Sequence, residues 1–215
     1  MLISSLESLH TFVRKTTTLE PFSTLPITYS EGITIPFKEK VELTVKETPA
    51  HIKKMLADSR ETIIGANTVV GMFPNLSETR PRGWTSGTWK EARGIYTNRK
   101  VVVAEKQLDP KSGEYVANKN VRGILNHEIG HPLFSLLNIA ALEDLDLAHK
   151  RDTSKFGKEE KEKLAYFLQS GEAGLDETFA ESYAALRGCG GIEDVDFFLR
   201  SFFYFQRNVK VILDI

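Results

Sequence analysis

Apolar residues in this chain change their period about halfway along. Over residues 3–15, Ile3, Leu6, Leu9 and Phe12 recur at helical spacing and predict a short amphipathic helix. Residues 16–29, broken by Pro21 and Pro26, read as loop. Residues 33–45 have β character: Ile33-Thr-Ile-Pro-Phe37 is followed by Val41-Glu-Leu-Thr-Val45, which alternates strictly. Pro49 then opens a helix over 50–58, since the first turn of a helix does not need its backbone donors. The β-branched residues of 62–73 predict a strand. Residues 74–94, with Pro74, Pro81, Gly83, Gly87 and Gly94, predict a loop, and Val101 to Ala104 a short strand. Beyond residue 115 helical periods take over, near 120–137, 157–169, 176–187 and 193–208. Strands first and helices after predict an α+β fold: one domain over 1–215, with 1–115 mostly strand and loop and 116–215 mostly helical.

Composition narrows the function classes. Hydrophobic residues at 41% and charged residues at 27% are ordinary for a globular protein. A net charge of -1 gives no strong field toward nucleic acid or an anionic membrane, so neither is expected as a partner. The single cysteine, Cys189, excludes an intrachain disulfide. The opening residues, with Glu7, His10, Arg14 and Lys15, do not form a secretory signal, and no run is long enough to cross a bilayer. The expected location is the cytoplasm, or outside the cell by a non-classical route.

The chemistry concentrates in His127-Glu-Ile-Gly-His131. Residues four apart lie on one helical face, so His127 and His131 can present two imidazoles to one metal ion. Glu128, turned by about 100° from His127, can reach a water beside the ion without ligating it. Asn120 is a plausible N-cap, Ile124 shares the histidine face, and Leu125, Ile129, Leu133 and Leu136 form an apolar stripe. Gly130 allows a close neighbour. Pro132 removes a backbone donor and predicts a kink, or the end of the regular helix, just after the second histidine.

A catalytic zinc needs a third protein ligand. The metzincin extension fails, because Phe134 and Leu137 stand where glycine and histidine would be needed. His10, His51 and His149 lack a supporting pattern. Glu177 and Glu181, in Leu175-Asp-Glu-Thr-Phe-Ala-Glu-Ser-Tyr-Ala184, again lie four apart. Glu177 can ligate, and Glu181 can accept a hydrogen bond from a ligating imidazole and fix its tautomer. Ala180 and Ala184 permit close packing on the histidine helix. The alternative is a solvated acidic face near a helix start.

The runs Asn126-His-Glu-Ile-Gly-His131 and, 46 residues after the second histidine, Glu177-Thr-Phe-Ala-Glu181 resemble the gluzincin metallopeptidases. They look most similar to the catalytic domain of anthrax lethal factor and to the bacterial Pro-Pro endopeptidases. The resemblance covers about 120–187 and extends more weakly through Pro81-Arg-Gly-Trp84 and the strand at 101–104. It implies a zincin-like fold, a small mixed sheet packed on an active-site helix. It implies a Zn2+ ion on His127, His131 and Glu177, Glu128 as general base, and a peptide or protein substrate. An edge strand would hold that substrate extended; Val101 to Ala104, with Val102 and Val103 at its centre, is the candidate. The family places an oxyanion-binding tyrosine seven residues before the ligand glutamate. Here that position is Ser170, and Tyr166, four residues further back, is the candidate donor.

Other features have milder readings. Trp84 and Trp89 lie among Arg80, Arg82, Lys90 and Arg93, as a packed loop or a substrate flap. Phe197, Phe198, Phe202, Phe203, Tyr204 and Phe205 cannot share one helical face and are assigned mainly to the core. Gly188-Cys-Gly-Gly191 reads as a helix stop. Beside the leading reading, a zinc endopeptidase, stand two others: a catalytically silent zincin-like binding or inhibitory module, motivated by Pro132 and the displaced tyrosine, and an interaction protein in which the motif is accidental.

Overall fold

A computed structural model describes residues 24–191 and 194–215. The helix expected over 3–15 lies outside the described residues. In chain order the elements are β1 (Ile27–Tyr29), α1 (Ile35–Glu47), α2 (Ala50–Asp58), β2 (Thr62–Ala66), α3 (Val69–Met72), β3 (Gly94–Thr97), β4 (Lys100–Ala104), β5 (Lys106–Leu108), β6 (Tyr115–Ala117) and α4 (Val121–Ser135). They are followed by α5 (Ile139–Thr153), α6 (Lys158–Lys163), a 3-10 turn at Ala165–Leu168, α7 (Glu172–Leu186), α8 (Val195–Ser201) and α9 (Phe203–Leu213). The fold is α+β, with a small mixed sheet and a mostly helical second half. No described helix is long and apolar enough to cross a membrane.

Four strands form the sheet in the order β1-β2-β4-β3, parallel except for β3, which runs antiparallel to β4. Side chains of β4 alternate between two cores. Val101 and Val103 face the main core, shared with α1, α2, α4 and the C-terminal helices. Val102 and Ala104 face a smaller one, with Ile64, Val69, Ala92 and Ile95, roofed by Trp84 and Trp89. A strand buried on both faces reads as an unbroken apolar run, which is why 101–104 is legible in the sequence.

Two sequence expectations fail here. The stretch 33–45 forms no strand; from Ile35 it is helix α1. Its buried residues, Phe37, Val41, Thr44 and Val45, follow helical spacing, and the alternation of Val41-Glu-Leu-Thr-Val45 is incidental, since Leu43 is 54% exposed. Pro36 sits in the first turn, and the Glu105 carboxylate receives the Thr34 backbone N–H at 3.3 Å and its hydroxyl. The strand expected over 62–73 stops at Ala66, because Thr68 caps α3 by accepting from the Gly71 N–H at 2.9 Å.

Helix α5 goes unread in the sequence because its buried stripe is thin, only Ala141, Leu145, Ala148 and Asp152, with Ile139 and Leu147 exposed. The helix expected over 193–208 divides at Phe202 into α8 and α9. Asp152, buried, accepts from the Phe205 N–H at 2.9 Å and the Tyr204 N–H at 3.3 Å at the start of α9. The aromatic run is core: Phe198, Phe202 and Phe205 are fully buried, while Phe203 points outward and Tyr204 lies under the Arg151 guanidinium at 3.5 Å.

Helices α4 and α7 make the closest helix contact near the middle of the molecule. A Cβ on Gly130 would stand 2.4 Å from the Ala180 Cα, so a hydrogen at residue 130 sets their separation. Replacing a helical glycine by alanine ordinarily gains up to about 1 kcal/mol. Here the methyl group meets backbone, and overpacking of that kind costs about 1–3 kcal/mol. Gly130→Ala should therefore lower the free energy of unfolding in urea; a gain in stability would show that the two helices have room to spare.

Candidate metal centre

Asn120 starts α4 as the sequence predicts, its side chain accepting from the Gly123 N–H at 3.1 Å. Leu125, Ile129 and Leu133 are fully buried, whereas Leu136, expected in the same stripe, is 44% exposed just beyond the last turn. Pro132 does not end the helix, which continues to Ser135. The missing N–H leaves the Glu128 carbonyl without its intrahelical donor, one turn back.

The anchoring of α4 leaves His127 and His131 on the face toward α7, where Asp176, Glu177 and Glu181 project. The Nδ1 of His127 lies 2.9 Å from Glu181 Oε2, and the Nδ1 of His131 lies 2.7 Å from Asp176 Oδ1. A carboxylate at Nδ1 favours the proton there, so in the neutral ring the lone pair lies on Nε2. Both Nε2 atoms turn toward Glu177 Oε2, at 3.3 Å from His127 and 3.8 Å from His131. That oxygen is buried, and among the described residues it accepts no hydrogen bond of regular geometry. Three electron-pair donors thus face a common point, with ligand atoms all within 4.8 Å of one another, an arrangement that could hold a metal ion.

Charge in this cluster is set by burial against close neighbours. Burial disfavours the imidazolium of His127, but the carboxylates of Glu177 and Glu181 outweigh it and raise its pKa well above the usual value. The pKa of His131 is also raised, by Asp176 against the same burial. Burial opposes the charge on Glu177 too, yet the imidazoles and the Tyr166 hydroxyl bring its carboxyl down to about 2. Negative surroundings that favour a proton at Nε2 favour any cation there. Glu128 differs: burial, the largest influence, raises its pKa, against the nearby imidazoles.

Tyr166 reaches the site from the 3-10 turn before α7. The chain reverses at Gly171, with φ of 69°, and the turn lies so close to α7 that a Cβ on Gly174 would meet the carbonyls of Gln169 and Phe167 at 2.5 and 2.7 Å. Ser170 is exposed in that reversal, while the Tyr166 hydroxyl reaches Glu177. Burial, then the charges of Glu177 and Glu128, raise the tyrosine pKa far above the usual value, so the phenol stays protonated.

These residues line a groove of about 560 Å³ together with Ile124, Trp84, Trp89, Arg82 and Arg93. Its long side is β3. Here the expectation for Val102 and Val103 is corrected: both are fully buried, and β4 is paired on each side, by β2 and by β3. The edge position belongs to β3. Asn98 and Arg99, with φ of 48° and 60°, make a two-residue hairpin turn, and the Arg93 carbonyl accepts from the Ala104 N–H at 2.8 Å. Alternation between those ends turns the backbone groups of Ile95 inward and those of Gly94 and Tyr96 outward. A Cβ on Gly94 would lie 2.6 Å from Glu128 Oε1, so the strand passes directly over that carboxylate.

Sequence reasoning missed Asp176, Tyr96 and the second role of Gly188–Gly191. Asp176 adjoins Glu177 and makes three acids against two histidines, a signal that was available. Tyr96, stacked on the His131 ring with centroids 6.4 Å apart, gave none. The glycine segment is more than a helix stop, because the Gly191 N–H donates to Glu181 Oε2 at 3.0 Å.

No protein-family model matches this sequence, and no curated protein matches it. The likeness is in three dimensions. The chain shares its fold with a Pro-Pro endopeptidase, PPEP-2 from Paenibacillus alvei. The TM-score is 0.54, with 16% identity over 86% of this chain and 96% of that one. PPEP-2 thus matches over nearly its whole length a chain with which it shares few residues.

The hydrogen bond from His127 to Glu181 has a measurable consequence. Losing such an outer carboxylate typically weakens a metal site about 10- to 100-fold. Glu181→Ala should show that loss for zinc in competition with a chromophoric chelator, while its far-ultraviolet circular dichroism stays that of the parent.

Proposed function

We propose that this chain is a zinc-dependent endopeptidase of the gluzincin type, similar to the lethal factor catalytic domain and the Pro-Pro endopeptidases, acting on extended peptide or protein segments as a single catalytic domain. The observation that carries this reading is the convergence of His127 Nε2, His131 Nε2 and the buried Glu177 Oε2 on one point in a groove bordered by an open strand edge. Two imidazoles and one carboxylate, leaving a position for water, are the donor set of a catalytic zinc.

When bound, the ion supplies Lewis acidity, which lowers the pKa of a coordinated water from 15.7 toward about 7. Glu128, with its raised pKa, is suited to take the proton from the attacking water and pass it to the leaving amine. Tyr166, protonated throughout, donates to the developing oxyanion, a contact commonly worth about 3 kcal/mol. Glu181 and Asp176 hold the imidazoles in the required tautomer. Gly94 and Tyr96 offer outward backbone groups to an added substrate strand. The close passage of Gly94 over Glu128 would bring the scissile bond near that carboxylate.

Two experiments test the reading. The purified protein should contain one zinc by elemental analysis and cleave members of a random peptide library. Glu128→Gln should keep the zinc and lose about 10²- to 10⁴-fold in rate. Stoichiometric zinc without cleavage by the parent protein would identify a silent binding module, and absence of zinc an accidental motif. In the zinc-loaded Glu128→Gln protein, added heptapeptide library should slow amide hydrogen exchange at Gly94 and Tyr96 and leave Ile95 and Thr97 unchanged. Equal protection along β3 would refute the pairing.

A further inference from the structure

Glu61 sits at the foot of β2 and is only 4% exposed. Burying a carboxylate is costly unless its oxygens are paired. Among the described residues Glu61 forms no ion pair, and its Oε2 is buried with no hydrogen-bond partner. Its single hydrogen bond is received at Oε1, from the Tyr96 hydroxyl at 3.2 Å. The Arg99 charge acts on the carboxylate without forming an ion pair, so among the described residues its one direct partner is the Tyr96 phenol on the edge strand. A buried group so incompletely satisfied calls for a reason beyond stability.

The phenol supplies one. Its ring lies nearly parallel to the His131 imidazole, 12° between planes and 6.4 Å between centroids. His131 is otherwise held at Nδ1 by Asp176, and its ring meets the His127 ring edge-on with centroids 5.1 Å apart. The hydrogen bond fixes the tautomer but leaves rocking about the line joining the two atoms to be limited by neighbouring rings. A flat neighbour on its face opposes that rocking. His127 has a different support, since its partner Glu181 is itself fixed by the Gly191 N–H.

We propose that Glu61 and Tyr96 form a brace for His131, in which the carboxylate holds the phenol and the phenol ring holds the imidazole in the plane that aims Nε2 at Glu177. Both are positioning residues. The inference rests on the metal-centre reading for its purpose, but not for its geometry.

Tyr96→Phe keeps the ring and removes the tether. Glu61→Leu removes the acceptor, and Glu61→Gln keeps one. In metal-free protein, the His131 ring carbon–proton signal, assigned through His131→Gln, reports the bracing directly. The zinc dissociation constant, from chelator competition, reports its effect. Tyr96→Phe and Glu61→Leu should move or broaden the ring signal and weaken zinc binding about 10-fold, while Glu61→Gln stays close to the parent. An unmoved ring signal, or unchanged zinc affinity, in folded Tyr96→Phe overturns the brace. If the parent protein itself fails to bind zinc, the metal centre falls, and the ring signal alone still decides whether His131 is braced.

Discussion

The centre of this molecule depends on imidazoles and carboxylates brought face to face by two adjoining helices. Helix α4 contributes two imidazoles and Glu128, and α7 contributes Asp176, Glu177 and Glu181. Four carboxylates so close would repel one another if nothing cationic lay between them. The helices stay together because apolar packing surrounds the cluster. Leu125, Ile129 and Leu133 on one side and Phe179 and Tyr183 on the other are all fully buried. Gly130 against Ala180 brings the two axes near enough for short side chains to meet.

The supports of this cluster reach well beyond the two helices. The loop Gly188–Gly191 is tied from three directions. The Asn120 amide donates to the Gly190 carbonyl at 2.6 Å, the Arg93 guanidinium donates to the Gly191 carbonyl at 3.1 Å, and the Gly191 N–H holds Glu181. The start of α4, the approach to β3 and the chain beyond α7 are thereby fastened to one another. A Cβ on Gly123 would lie 2.2 Å from the Gly190 carbonyl, so the loop fits only against bare backbone. The Asn120 side chain consequently serves two tasks, capping a helix and anchoring a distant loop.

What could be read from the sequence follows the range of the physics involved. His127, Glu128 and His131 are legible because a helix makes their relation purely local, and Glu177 with Glu181 because the same period recurs. Tyr166 is legible only through resemblance, since its approach depends on a reversal at Gly171 and on the space left by Gly174. Val102 and Val103 mislead for a related reason. Apolar runs reveal strands that are covered, whereas the strand able to receive a guest, Gly94-Ile-Tyr-Thr97, is short, mixed in polarity and unremarkable in the sequence. Helix α1 shows the opposite error, an accidental alternation laid over a helical stripe.

The two-residue hairpin at Asn98 and Arg99 has a last consequence. It ends β3 after four residues, only two of which turn their amides outward. A bare sheet margin normally invites copies of the same chain to stack on it. Here the margin is too brief to template such growth. This edge can thus stay open for a visitor while giving a copy of the same edge little to grip.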